Sequence, residues 1–83
     1  MKKITYKKAA LKYIYKMPAN WRKRVFEKIE QYAKDPDSLS ANVIRMTGEP
    51  YYRLRVGDYR IVFDENNTII EIVRVDARGR VYN

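Results

Sequence analysis

The fold is decided by residues 52–63, which read YRLRVGDYRIVF. Apolar and polar side chains alternate on both sides of Gly57-Asp58, as in two antiparallel strands with one buried face. A glycine at the first central position of a two-residue turn favours type II′ geometry, which would place Val56 directly opposite Tyr59. Because side chains in a strand alternate with a period of two, this turn fixes the face of every side chain in the hairpin.

Counting outward from the turn predicts one apolar face and one basic face. The apolar face contains Leu54 opposite Ile61 and Tyr52 opposite Phe63, and the basic face contains Arg55 opposite Arg60 and Arg53 opposite Val62. An apolar face must be covered by other elements of the fold, whereas a basic face is open to an anionic partner.

Three arginines on the basic face suggest a phosphate site. Like charges directly opposite each other on antiparallel strands are destabilising, so Arg55 against Arg60, with Arg53 diagonal to Arg60, is a cost that folding alone would not select. A phosphodiester would relieve it by accepting charge-assisted hydrogen bonds, and the same groups would stabilise a phosphorane transition state. In the alternative interpretation, the arginines pair with carboxylates in a solvated network. The nearby carboxylates are those of Asp58, Asp64, Glu65 and Glu71.

Beyond the hairpin, the second half of the chain is predicted to be an antiparallel meander. Its extended runs cover residues 42–46, 51–56, 59–64 and 68–76. A two-residue turn at Asn66-Asn67 would place Ile70 and Ile72 on the apolar face, whereas a three-residue loop would bury Glu71 instead. The first arrangement costs less, because it buries no unpaired carboxylate.

The first half of the chain is predicted to be mostly helical. Residues 1–6 could form a short edge strand, and apolar residues then recur at helical spacing over residues 7–16 and 19–34. Pro18 separates the two helices, and Asp35-Pro36 ends the second one. We therefore expect an α+β fold in a single domain over residues 1–83, with an N-terminal helical hairpin packed on a four- to five-stranded antiparallel sheet.

Composition narrows the function further. The net charge of +8 favours an anionic partner, and the seven basic residues after Lys34 are all arginines, whose planar fork suits two-point recognition of phosphate. The absence of cysteine and histidine removes thiolate chemistry, the usual zinc ligands and the usual general base. No apolar run has the length of a signal peptide or of a membrane span, so we expect a cytoplasmic protein.

Several motifs resemble those of RelE-type toxins in the RelE/ParE superfamily. They are the Met17-Pro18 joint, Asp35-Pro36, Arg45-Met46-Thr47-Gly48, the whole stretch 52–63 and the closing Arg78-Gly79-Arg80-Val81-Tyr82. The resemblance covers essentially the whole chain. It implies a toxin of a type II toxin–antitoxin system that works without cofactor or metal. It also implies a ribosome-dependent endoribonuclease that cuts messenger RNA in the decoding site, and a cognate antitoxin.

The resemblance also implies a catalytic site. In such toxins a 2′-hydroxyl attacks the adjacent phosphate, which basic side chains at the positions of Arg53, Arg55, Arg60 and Arg78 bind and stabilise. Tyr82 matches a terminal tyrosine near the reacting ribose. Better-known members have lysines where this chain has Arg53 and Arg55, and arginine is a poor base because it stays protonated. Asp76 and Tyr82 are the candidate bases by sequence, or alignment and electrostatics carry most of the rate.

Two other functions are compatible with the same fold. A ParE-like toxin would bind and inhibit DNA gyrase and cut nothing, although members of that group generally lack the full set of arginines and tyrosine. A non-catalytic RNA-binding domain would use the same arginines and the eight tyrosines. Because function lies in the site and not in the fold, the placement of the arginines is what can separate these alternatives.

Overall fold

The predicted hairpin lies inside a five-stranded sheet in the computed structural model, which describes residues 1–77. The strands are β1 (Lys3–Tyr6), β2 (Val43–Arg45), β3 (Tyr52–Val56), β4 (Tyr59–Glu65) and β5 (Ile69–Ala77), and their order in the sheet is β1-β5-β4-β3-β2. The helices are α1 (Lys8–Tyr15), α2 (Ala19–Lys34) and a 3₁₀ segment (Pro36–Asn42). The predicted α+β class is confirmed.

The register of the β3–β4 hairpin is the one that the sequence predicts. Val56 pairs with Tyr59, Leu54 with Ile61, and Arg55 with Arg60. Gly57 has a φ of 58°, whereas Asp58 stays outside the positive-φ region, as a type II′ turn requires. Gly57 is needed for a second reason, since a Cβ atom at this position would overlap the indole ring of Trp21.

Both helices pack on the apolar face of the sheet. In α1 the buried residues are Ala10 and Ile14, and in α2 they are Val25, Ile29, Tyr32 and Ala33. From the sheet, the core receives Leu54, Val56, Ile61, Phe63, Ile70, Ile72 and Val75. The apolar stripes predicted for the helices are therefore the helix–sheet interface, and the opposite face of the sheet is left to the arginines.

Two expectations about the sheet are corrected. The sheet is mixed, because β1 pairs in parallel with β5 along a register that sets Ile4 beside Ile70, while the other strand pairs are antiparallel. The connection between these two strands contains both helices and strands β2, β3 and β4, so it is long enough for a parallel pair. The extended run predicted over residues 42–46 is shorter, Val43–Arg45, because Pro36–Asn42 forms 3₁₀ turns that bury Leu39.

The connection between β4 and β5 also differs in detail from the sequence prediction. Ile70 and Ile72 are buried as predicted, but Asn66 N–H donates to the Ile69 carbonyl, so the turn is centred on Asn67-Thr68 and not on Asn66-Asn67. The Asn66 side chain holds this turn, because its Oδ1 accepts hydrogen bonds from the backbone N–H groups of Thr68 and Ile69. The turn therefore lies one residue later in the sequence than predicted, but the same residues of β5 face the core.

A β-bulge in β5 changes the face of the residues that follow it. Val62 pairs with Arg74 and Phe63 with Ile72, so Val73 is the additional residue. Before the bulge, Ile72 points into the core; after it, Val75 does, and Arg74 is directed to the face that carries Arg60. A bulge commonly redirects side chains next to functional sites.

The two turn glycines provide a matched test of the Trp21 contact. Gly48 and Gly57 both have positive φ, 80° and 58°, but only Gly57 lies against another side chain. An alanine is strained at both positions, and Gly57→Ala must also displace Trp21. We expect Gly57→Ala to lower the free energy of unfolding, measured in urea, by about 1–3 kcal/mol more than Gly48→Ala. Equal losses for the two variants would contradict the role of Trp21.

A partly buried tyrosine, Tyr6, should make stability depend on alkaline pH. Burial and, next, the charge of Glu30 raise the pKa of Tyr6 to about 12. The unfolded chain loses this proton near pH 10, about the usual tyrosine value, so the stabilisation is complete below that pH and is lost as pH rises toward 12. Tyr6→Phe keeps the edge-to-face contact with Phe26 but carries no titrating proton. Urea unfolding at pH 8 and pH 11 should show a smaller loss for this variant, and an unchanged loss would contradict the assignment.

Candidate functional site

The three predicted arginines of the hairpin converge on one pocket. Arg53, Arg55 and Arg60 line a depression of about 230 Å³ on the sheet face away from the helices. Its other walls come from Ala41 and Asn42 at the end of the 3₁₀ segment, Ile44 of β2 and Gly57 of the turn. We refer to this depression as the arginine pocket. Strands β3 and β4 position its cations, and β2 closes its edge.

Within residues 1–77, no carboxylate lies within 4 Å of the guanidinium groups of these three arginines. Of the four nearby acids, Asp58 and Asp64 form no ion pair within these residues, and the other two are engaged elsewhere. Glu65 pairs with Lys2 at 2.6 Å and accepts a hydrogen bond from the Tyr32 hydroxyl, and Glu71 lies 3.9 Å from Lys7. The alternative of an already neutralised surface network is therefore not seen in this part of the chain.

Glu65, Lys2 and Tyr32 form a cluster on the apolar side of the sheet, and this cluster raises the pKa of one of its members. Burial, followed by the hydrogen bond to Glu65 and its charge, raises the pKa of Tyr32 well above the usual tyrosine value. Tyr32 is therefore a proton donor to Glu65 and is not available as a base. Its ring packs against Phe63 with a centroid distance of 5.1 Å, which places this cluster in the structural core.

Arg74 lies on the same sheet face as the arginine pocket but is neutralised. Its Nη2 is 3.3 Å from Glu49 Oε1, and its Nε is 3.3 Å from Asp76 Oδ2. Burial tends to lower the pKa of Arg74, but the hydrogen bonds and charges of Asp76 and Glu49 outweigh that effect and raise it. Asp76, a candidate base by sequence, pairs with Arg60 in the strand ladder but directs its carboxylate to Arg74.

Val62 gives the basic face an apolar centre. It is fully buried, and its cross-strand neighbours are Arg53 on β3 and Arg74 on β5. These two arginines thus flank an apolar point of the sheet that water does not reach, while their own side chains stay partly exposed and accessible to an anion.

Sequence reasoning placed some of these residues and missed others. Arg53, Arg55 and Arg60 are brought together as predicted, whereas Arg78 and Tyr82 lie outside the described residues. Asn42 was missed because the 3₁₀ segment was not foreseen. Ile44 is 48% exposed and could have been found, because alternation along β2 puts it on the open face of the sheet, beside Arg53.

Neither α1 nor α2 is long and apolar enough to cross a membrane, a finding that covers the described residues.

A helical hairpin packed on one face of a five-stranded sheet is the fold of small toxins of the RelE/ParE superfamily. The family described as ParE toxin of the type II toxin–antitoxin system parDE matches residues 4–82. Toxin RelE3 of Methanocaldococcus jannaschii is 32% identical over 84 residues, which are 98% of this chain and 96% of the relative. The chain belongs to this family of type II toxins and is RelE-like.

Solved structures agree with this assignment. The chain is similar to the archaeal RelE–RelB complex from Pyrococcus horikoshii OT3, with a TM-score of 0.79, 26% identity, and coverage of 95% of this chain and 97% of that one. The intact E. coli RelBE toxin–antitoxin complex has a TM-score of 0.77 at 20% identity, covering 96% of this chain and 100% of that one. At that identity, the likeness to the E. coli structure shows the fold alone.

The charge geometry of the sheet face predicts opposite effects for two similar substitutions. Arg55→Gln removes a repulsion with Arg60, so we expect the free energy of unfolding at low salt to rise by about 0.2–1 kcal/mol. Arg74→Gln leaves Glu49 and Asp76 without their partner and should lower it. Added salt should reduce both effects, because it screens exposed charges. Urea unfolding at two salt concentrations measures them, and a loss of stability in Arg55→Gln would contradict the proposed repulsion.

Proposed function

We propose that this chain is a ribosome-dependent endoribonuclease that cleaves messenger RNA in the decoding site. The observation that carries the proposal is the convergence of Arg53, Arg55 and Arg60 on one pocket without a carboxylate partner in the described residues. Three uncompensated guanidinium groups on a rigid sheet are suited to hold one phosphodiester in a fixed orientation. The RelE-like character of the chain supports the choice of substrate.

The reaction we propose is an internal transesterification. The 2′-oxygen of one nucleotide attacks the adjacent phosphorus in line, its proton passes to a base, and the 5′-oxygen of the next nucleotide leaves and takes up a proton. The products are a 2′,3′-cyclic phosphate and a 5′-hydroxyl. The phosphorane carries more charge than the starting diester, so arginines fixed around it bind the transition state more tightly than the substrate.

The arginines bind and stabilise but do not remove the proton, because a guanidinium stays protonated at physiological pH. Asp76 is a candidate base on the sheet face itself, next to Arg60 in the ladder and 3.3 Å from the Nε of Arg74. Tyr82 is the other candidate, and Arg78 is proposed as a fourth phosphate ligand; both lie outside the described residues. Alignment of the 2′-oxygen by the arginines would contribute much of the rate in either case.

We further propose a cognate antitoxin as the regulatory partner. Both solved structures described above are complexes of RelE with RelB, so a protein of the RelB type is the natural expectation. A basic toxin with a net charge of +8 favours an acidic, amphipathic partner segment that folds on contact. Such a segment would place carboxylates where the RNA phosphate otherwise binds. The toxin would then act in the cytoplasm, where ribosomes are.

Gyrase inhibition is the second candidate, because the matching family is described as ParE toxin. That activity needs a protein-binding surface and no phosphate site. The unpaired arginines favour the nuclease, since a surface that only binds a protein does not require three guanidinium groups around one small pocket.

A reconstituted translation reaction tests the nuclease directly. The purified protein should cleave the message inside codons, and Arg60→Ala should slow cleavage by about 10²–10³-fold, as expected for loss of one transition-state donor. Arg45→Ala is the matched control. It removes one arginine from the neighbouring strand β2, where Arg45 pairs with Tyr52 and lies over its ring, away from the pocket.

The controls separate the alternatives. Equal cleavage by Arg60→Ala and Arg45→Ala would remove the arginine pocket from the mechanism. If the message stays intact while DNA supercoiling by gyrase stops, the ParE-like function is correct. If neither activity occurs and RNA binding weakens steeply with salt, the chain is a plain RNA-binding module.

A further inference from the structure

A second groove lies next to the arginine pocket, around the Gly57 end of the sheet. It has a volume of about 350 Å³, and its walls include Trp21, Arg24 and Lys28 of α2. We call it the helix groove. Asn42, Arg55 and Gly57 line both depressions, so the arginine pocket and the helix groove form one continuous surface from the sheet face to the helix.

The helix groove is basic and open. Arg24, Lys28 and Arg55 are exposed, and Glu27 contributes its only carboxylate among the described residues. No lysine or arginine within residues 1–77 lies within 4 Å of the Glu27 carboxylate, so the three cations are not neutralised by it. Together the two depressions present five basic side chains and one acidic one. A row of cations of this kind matches a chain of phosphates more than a single anion.

Trp21 supplies a rigid aromatic platform at the base of this groove. Its ring packs edge-to-face against Tyr59 at a centroid distance of 5.6 Å and against the backbone of Gly57. The Arg24 guanidinium lies over the Trp21 ring, 4.9 Å from the centroid. A guanidinium held over an aromatic ring can stack a nucleobase on its other side, and single-stranded RNA is commonly bound by such stacking.

From these observations we infer that the helix groove is a binding site for the single-stranded RNA that adjoins the phosphate in the arginine pocket. Lys28 and Arg24 contact the backbone, and the Trp21–Arg24 stack supports one base. The inference rests on the proposed function for one point, that the bound RNA is the messenger RNA being cleaved. The groove itself would bind RNA whether or not the protein cleaves it. Stacking is tolerant of sequence, so this site contributes affinity more than base specificity.

The groove leaves the arginine pocket on one side only, past Gly57. It therefore engages nucleotides on one side of the phosphate, and extending an oligonucleotide in that direction should increase affinity while extending it in the other should not. This one-sidedness distinguishes a continuous groove from a general attraction between a basic protein and RNA, which would grow equally with length in both directions.

Binding of oligonucleotides without ribosomes tests the inference. The probes are 2′-O-methyl RNA of three nucleotides and of eight, the latter extended at either the 5′ or the 3′ end, and the readouts are fluorescence anisotropy and quenching of Trp21, the single tryptophan of the chain. The double variant Arg24→Gln, Lys28→Gln is compared with Lys23→Gln, an exposed change on the same helix that lies outside the groove.

We expect the double variant to bind one of the two eight-nucleotide probes about 10-fold more weakly, and its salt slope to fall by about 1.4, or 0.7 for each lost phosphate contact. The three-nucleotide probe should bind as it does to the wild type, and Lys23→Gln should keep the affinity for all probes within about twofold. The probe that depends on the groove should quench Trp21. Equal losses in the double variant and in Lys23→Gln, or no advantage of either long probe, would overturn the inference.

The translation reaction keeps the two proposals separate. If the wild type cleaves and the double variant both binds and cleaves as Lys23→Gln does, the groove is refuted and the nuclease stands. If the wild type does not cleave but the long probe still depends on Arg24 and Lys28, the nuclease is refuted and the groove stands.

Discussion

The structure depends on one constraint, the register that the Gly57-Asp58 turn imposes on strands β3 and β4. This register buries Leu54 and Ile61 in the core and, by the same alternation, sets Arg55 opposite Arg60 on the other face. Burying each aliphatic side chain contributes about 1.5–3 kcal/mol, whereas opposed like charges cost about 0.2–1 kcal/mol. Burial therefore prevails, and the hairpin holds two guanidinium groups together that would otherwise separate.

The rest of the molecule keeps this arrangement available to an anion. The helices cover only the apolar face, and three acids near the hairpin are paired with other cations: Glu65 with Lys2, Glu71 with Lys7, and Asp76 with Arg74. Asp58 and Asp64 form no ion pair with the hairpin arginines within residues 1–77. Arg74 lies on the same face but is neutralised, because two carboxylates are 3.3 Å from its guanidinium group. The contrast between Arg74 and the arginine pocket supports a role for the pocket in binding and not in solubility.

The sequence predicts the features that local physics decides. The hairpin register follows from turn chemistry and alternation over twelve residues, and the helices follow from periodicity and the two prolines. The parallel pairing of β1 with β5, the bulge at Val73 and the partnership of Arg74 with Glu49 could not be predicted, because each depends on contacts between distant segments or on a backbone irregularity. The helix groove was missed for the same reason, since Trp21 and Gly57 meet only in the folded chain.

The most direct test of the central claim is a titration of the arginine side chains followed by NMR. A dialkyl phosphate is added to ¹⁵N-labelled protein, and the Nε–Hε signal of each arginine is recorded. The constraint described above predicts that Arg53, Arg55 and Arg60 respond together and saturate with one dissociation constant, while Arg74 stays unchanged. Small, unsaturated shifts of similar size at all arginines would contradict it, because they would show general charge attraction without a built site.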